Sequence, residues 1–153
     1  MANIKRARKD TRLEAEAAEF LVLGRLLLEK IAAYKNYTNH PAYDIIAVDP
    51  EHNSSIRIQV KSRFRTDWDG FIINNFECEF VVFVSLNRGH SKPKKNCDEN
   101  IKEPEFYILP IGYVKRIRDA KNDWGKITKN RLKGIEKYRN RWDLISKFLR
   151  KRK

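Results

Sequence analysis

Phe80-Val81-Val82-Phe83-Val84-Ser85-Leu86 is a nearly unbroken apolar run in a chain that is 35% charged. The run does not alternate, so neither of its faces can look at water. A strand of this kind belongs in the middle of a sheet with both faces covered. The expected fold class is therefore α/β, a central mixed β-sheet flanked by helices. A length of 153 residues fits one domain. Hydrophobic residues at 41% and aromatics at 11% argue for a folded globule over a disordered basic chain.

The other elements fall around that strand. Thr11 followed by Glu14 has the spacing of a capping box, and the helix it opens is expected to run to about Ala33. Wound at 100° per residue, its polar stripe is Glu14, Ala18, Arg25 and Glu29. Glu19 falls instead among Ala15, Val22, Leu23 and Leu26, an odd place for a carboxylate, with Glu16 at the edge of the same face. Tyr43–Asp49 and Ile56–Arg63, joined by a turn-rich Pro50–Ser55, read as a β-hairpin. Alternation gives one core face of Tyr43, Ile45 and Ala47 with Ile56, Ile58 and Val60. The opposite face carries Asp44, Ile46 and Val48 beside Arg57, Gln59, Lys61 and Arg63. A register centred on the turn pairs Asp44 with Lys61 and Ile46 with Gln59. Short strands are expected at 70–74 and 105–110, a short helix at 112–118, and an amphipathic terminal helix from Ile135 to Leu149. The whole is expected to be a single domain: a basic arm over 1–10, an α/β core over 11–110 and a basic helical part over 112–153.

The charge identifies a class of partner. Net charge is +13, and residues 112–153 hold 16 Lys and Arg against 4 Asp and Glu. A run like this is the footprint of a polyanion-binding surface, with phosphate backbones the usual partner, although each lysine taken singly also fits a solvated helix face. Arg63 and Arg65 beyond the hairpin, with Lys126, Lys129, Arg131 and Lys133, are the candidate phosphate contacts. Trp68 is the tryptophan expected to be exposed for stacking on bases, and Trp142 the one expected in the core. No lipid-inserting face is present, and no apolar core of a signal peptide follows Met1–Arg6, so a cytoplasmic protein with free Cys78 and Cys97 and no membrane partner is expected. His40, His52 and His90 are scattered in loops.

Asp44, Gln59 and Lys61 converge on one end of one hairpin face. A carboxylate and an amide oxygen there could hold Mg²⁺ (or Mn²⁺), which takes oxygen ligands and few carboxylates. The main-chain carbonyl of Val60 could add a ligand, and Glu19 could join if the first helix packs across. Lys61 would then orient the attacking water and offset charge on a phosphate. The same residues also fit an ordinary cross-strand salt bridge beside a solvent-facing amide.

Helical Ala18-Glu19, then Tyr43-Asp44, then Gln59-Val60-Lys61, in that order, resembles the PD-(D/E)XK nuclease superfamily, which includes many restriction and repair endonucleases. The resemblance covers Thr11 to about Leu109 and implies an α-β-β-β-α-β, restriction-endonuclease-like core, whose middle helix is not evident here. The segment from Glu105 through Arg141-Trp142-Asp143 looks like small bacterial members. The resemblance implies that Asp44 is the metal-binding aspartate, Lys61 the family lysine and Glu19 the first-helix glutamate. It further implies a divalent-metal endonuclease acting on DNA (RNA not excluded), and a homodimer if both strands of a duplex are cut. Two departures stand out: Tyr43 precedes Asp44, with Pro41 two positions further back, and Gln59 replaces the usual Asp or Glu. Some active members, certain intron-encoded homing endonucleases among them, carry Gln at this position. The missing charge equally suits a non-catalytic nucleic-acid-binding protein on a degenerate nuclease fold, and an accessory role in partner binding is a third reading.

Overall fold

Strand β3 (Ser54–Arg63) organises the molecule, because it pairs antiparallel with β2 (Ile45–Asp49) on one side and parallel with β5 (Phe80–Ser85) on the other. In this computed structural model, which describes residues 10–38, 42–90, 100–118, 121 and 124–151, the main sheet has the order β1-β2-β3-β5-β6. Its outer strands are β1 (Ala32–Lys35) and β6 (Glu105–Pro110). The sheet is mixed and flanked by helices, as expected. The expected arm over 1–10 lies, except for Asp10, outside the described residues.

All six residues of β5 are buried, which the apolar run demanded. One face, with Ile45, Ala47, Ile56, Ile58, Val82 and Ile108, is covered by α1 (Arg12–Leu28) and α3 (Asp143–Lys151). The other, with Val81, Phe83, Tyr107 and Leu109, is covered by α2 (Ile111–Ile117) and by a small sheet of β4 (Gly70–Ile72) and β7 (Lys126–Thr128). Gly70 permits that second sheet: at φ 149°, a Cβ there would lie 2.2 Å from the Ile127 carbonyl oxygen. Among the described residues no helix is long and apolar enough to cross a membrane.

Five expectations are corrected. The first helix stops at Leu28, and Ala32–Lys35 is a strand. Its end is a Schellman motif: the Lys30 amide donates to the Leu27 carbonyl at 3.0 Å and the Ile31 amide to Leu26 at 2.9 Å, with Lys30 left-handed at φ 61°. At its start, Thr11 makes no side-chain capping bond, so the capping box is not formed. Ala18, assigned to the polar stripe, is fully buried with Val22 and Leu26, because these three meet the sheet.

The fourth correction is the hairpin register. Ile45 faces Ile58, Ile46 faces Arg57 and Asp49 faces Ser54, while the Asp44 amide bonds to the Ile58 carbonyl at 2.9 Å, so neither Asp44–Lys61 nor Ile46–Gln59 is paired. Asp49 tightens the turn by accepting the amides of Glu51 and His52 at 3.0 and 3.3 Å. A slip of two residues leaves every side chain on its expected face. The fifth correction is the terminal helix. Ile135–Tyr138 is a 3-10 turn, and α3 begins only at Asp143. Between them Asn140 turns left-handed (φ 53°) and its amide donates to the Phe106 carbonyl at 2.9 Å.

A lysine at the left-handed position is strained by about 1 kcal/mol relative to glycine. Lys30→Gly is therefore expected to stabilise the protein by about that amount, read as a higher urea midpoint at unchanged slope. An unchanged or lower midpoint would show that the lysine side chain stabilises this turn more than its backbone strains it.

Candidate active site

The hairpin ladder ends at Asp44. There the Val60 amide meets a side chain and not a carbonyl of β2, donating to Asp44 Oδ2 at 2.7 Å. Asp44 is itself pinned on both sides: its amide donates to the Ile58 carbonyl at 2.9 Å and its carbonyl accepts the Asn36 amide at 2.8 Å. The carboxylate is thus aimed by the backbones of β1 and β3. Because a strand residue's N–H and C=O point to the same side, the Val60 carbonyl faces this end as well.

Gln59 is only 6% exposed, so it is not a solvent-facing strand amide. Its Oε1 is buried and has no hydrogen-bond partner among the described residues. An orphaned buried oxygen costs about 1–3 kcal/mol, which marks a place where a donor or a cation is missing. Lys61, next on the same face, has its pKa pulled down by burial, opposed by attraction to Asp44.

The odd glutamate of α1 is explained by β1. Lys35 inserts its ammonium between Glu16, with a hydrogen bond, and Glu19, at 3.2 Å, with the rings of Phe20 and Tyr37 at 4.6 and 5.1 Å. Burial works against the charge of Lys35, while its bonds to Glu16 and Glu19 raise its pKa above the ordinary value. Glu19 is pushed up by burial and then by the negative charge of Asp44, with Lys35 opposing. Asp44 is pushed up by burial against the Val60 amide, Lys61 and Lys35. The structure therefore brings Glu19, Asp44, Gln59, Val60 and Lys61 to one place and adds Lys35 and Glu16. Lys35 was not foreseen because its strand was read as helix. The signal for it was Glu19 on the packed side of the helix with the exposed Glu16 one turn before it, a pair that attracts a cation.

This donor set fits Mg²⁺ or Mn²⁺: two carboxylates whose burial resists ionisation, an unmatched amide oxygen and a main-chain carbonyl. Asp49, Glu51 and His52 also lie within ligand reach of one another, a pairing the loop histidines were not expected to make. They sit in the β2–β3 turn at the other end of the hairpin, and the His52–Asp49 contact of 2.8 Å together with the turn bonds accounts for them.

The burial of Asp44 has a pH signature. Asp44 has a folded pKa above its unfolded one, so the unfolded state releases its proton first. Its contribution is most favourable below the ordinary carboxylate range and is lost as pH rises through the raised folded value. Asp44→Asn, which keeps an oxygen for the Val60 amide, should therefore gain stability relative to wild type as pH rises from acidic to neutral. Denaturant midpoints of the two proteins across that range test this, and a constant difference would contradict it.

The basic residues divide. Arg63 and Lys126 share Asp69, at 3.6 and 3.1 Å, and Lys129 stands 4.9 Å over the Trp68 ring. These three gather where β7 meets β4, just beyond the end of β3. Arg65 donates to the His90 carbonyl at 3.3 Å, Arg131 turns to the Ile117 carbonyl at 3.5 Å, and Lys133 is exposed. An open hollow of about 410 Å³ between the start of α1 and the end of β3 is lined by Lys61, Arg63 and Arg65 with Glu14. Trp68 is buried, edge-on to Phe83 at 4.7 Å, so it is not the exposed tryptophan; Trp124 is exposed, and Trp142 is core as expected. Cys78 is buried beside the site and its thiol is pushed up to about 11. Cys97 and His40 lie outside the described residues.

No protein-family model matches the chain, and no curated protein matches it. Solved structures do. Among them is a bacterial homing endonuclease, I-Ssp6803I, at 19% identity and TM-score 0.57, over 91% of this chain and 94% of that one. The similarity is one of fold.

Proposed function

We propose that this chain is an endonuclease that hydrolyses phosphodiester bonds in DNA with Mg²⁺ or Mn²⁺, using a PD-(D/E)XK-type site with Gln59 at the second acidic position. The observation that carries the reading is the buried, unpartnered Gln59 Oε1 beside the ladder-ending Asp44 carboxylate, with Glu19 and Lys61 at hand. The shared fold with a bacterial homing endonuclease supports it.

Asp44, Gln59 and the Val60 carbonyl would hold the cation, with Glu19 joining by exchanging part of its bond to Lys35. Held there, a divalent cation would supply Lewis acidity toward a phosphoryl oxygen and toward water. The protein's own groups do the rest. Lys61 presents positive charge where the phosphate gains negative charge, and its lowered pKa eases a proton exchange with the water it orients. Arg63, Lys126 and Lys129 grip the backbone beside the scissile bond, and the net charge of +13 draws the duplex in. Cutting both strands calls for two such sites and hence two copies.

Gln59 favours a second reading, a protein that binds DNA without cutting it. Supercoiled plasmid, single-stranded DNA and RNA incubated with Mg²⁺, Mn²⁺ or EDTA separate the two. Metal-dependent DNA cleavage that is absent in Asp44→Asn is expected. A folded protein that binds DNA in a salt-dependent way but leaves it intact with either metal would overturn the nuclease reading, and cleavage gained by Gln59→Glu would then identify the missing charge as the cause.

A further inference from the structure

The outward face of α1 is apolar along its whole length. Leu13, Ala17, Phe20, Gly24 and Leu27 recur at alternating steps of four and three, the spacing of a coiled-coil seam, with Leu21 and Leu28 alongside. None of them is buried: Leu13 is 85% exposed, Leu28 74%, Leu27 50%, Phe20 48% and Leu21 38%. The inner face of the same helix is already occupied by the sheet through Ala18, Val22 and Leu26.

The geometry points to a second copy of this chain as the occupant, docked α1 against α1 in antiparallel, two-fold symmetric fashion. The stripe alternates large and small. With the axis at Val22, Phe20 of each copy lies opposite Gly24 of the other, and Leu27 opposite Ala17. A Cβ added at Gly24 would meet nothing within 4 Å, so the notch is open to receive a ring. Beside it, a hollow of about 680 Å³ bounded by Leu21, Leu28, Pro104 and Phe106, with the charged Arg25 and Glu103, widens the recess. A surface complementary to itself under a two-fold is what an isologous dimer requires. The exposed side chains offer roughly 500 Å² per chain, so two copies bury about 1,000 Å², the size at which specific interfaces begin. Charge excludes the other main candidate. Arg12–Leu28 carries three glutamates against two arginines in a chain of net charge +13, so this face neither attracts a nucleic acid nor suffers the repulsion that two basic faces would.

The nuclease reading also calls for two copies, but the surface that joins them is assigned from α1 alone, and its test uses neither DNA nor metal. Light scattering on the full chain at micromolar concentration should give twice the 18.2 kDa chain mass. Leu21→Glu with Leu28→Glu should return it to the single-chain mass with an unchanged far-UV spectrum. The two Leu21 residues meet beside the axis, so Leu21→Cys in a Cys97→Ser background should cross-link under mild oxidation even if the double variant fails to fold. A monomeric wild type, a dimer that survives the double substitution, or a dimeric Leu21→Cys protein that does not cross-link would each overturn the assignment.

Discussion

Lys61→Met is expected to cut DNA about 10²–10³-fold more slowly than wild type, an effect of roughly 2.7–4 kcal/mol on the transition state. The side chain is placed for this and for little else. It follows Gln59 on the site face of β3, is attracted by Asp44 and is held in surroundings that lower its pKa. Burial disfavours the charged ammonium, so the fold gains little from it, and methionine keeps most of the stem's packing. Stability should therefore change far less than rate. Single-turnover cleavage and urea midpoints measured on one preparation separate the two quantities. A variant that cuts at the wild-type rate would remove Lys61 from the mechanism, and one that unfolds would give it a structural role.

Phe83→Ala is expected to cost about 3–5 kcal/mol, a large share of what holds a domain of this size together. Phe83 is fully buried in β5 and faces Lys61 across the parallel ladder. Its ring meets Trp68 at 4.7 Å, stacks on Phe71 at 4.9 Å and lies 6.1 Å from Tyr107. It therefore joins the small β4–β7 sheet to the main one. Beyond the transfer term, its removal leaves a cavity that three rigid neighbours cannot fill. A midpoint shift equivalent to less than about 1 kcal/mol would mean that Trp68 collapses into the space.

What could be read in advance depended on how local the cause was. β5 and β6 were legible because burial on both faces leaves an unmistakable composition over a few residues. The site face of the hairpin was legible for a related reason. Alternation assigns faces whatever the register, so Asp44, Gln59 and Lys61 stayed together although the pairing was two residues off. β1 was hidden because the helix before it ends on a left-handed lysine, not the glycine that usually announces such a stop. With β1 went Lys35 and the reason for Glu19. The spacing of Ile135, Tyr138, Trp142, Ile145 and Leu149 was real burial, met by a 3-10 turn and a helix in succession, because Asn140 is drawn to the Phe106 carbonyl from a distant part of the chain. β7 and its pairing with Gly70–Ile72 likewise rest on contacts that no local pattern records.

Because the Val60 amide is received by a side chain and not by the next carbonyl of β2, the two strands part company at Asp44 like the tines of a fork. The gap between the tines is where the functional groups gather, and its width depends on the length of one carboxylate. Shortening or removing that side chain would alter the chemistry and also leave the Val60 amide without its acceptor, free to seek a backbone carbonyl and close the gap. A substitution such as Asp44→Ala therefore measures two things at once, whereas Asp44→Asn holds the gap open and changes only the charge. For the same reason, a descendant of this protein that had given up residue 44 would carry the loss in its backbone, as a hairpin laddered one step further than this one.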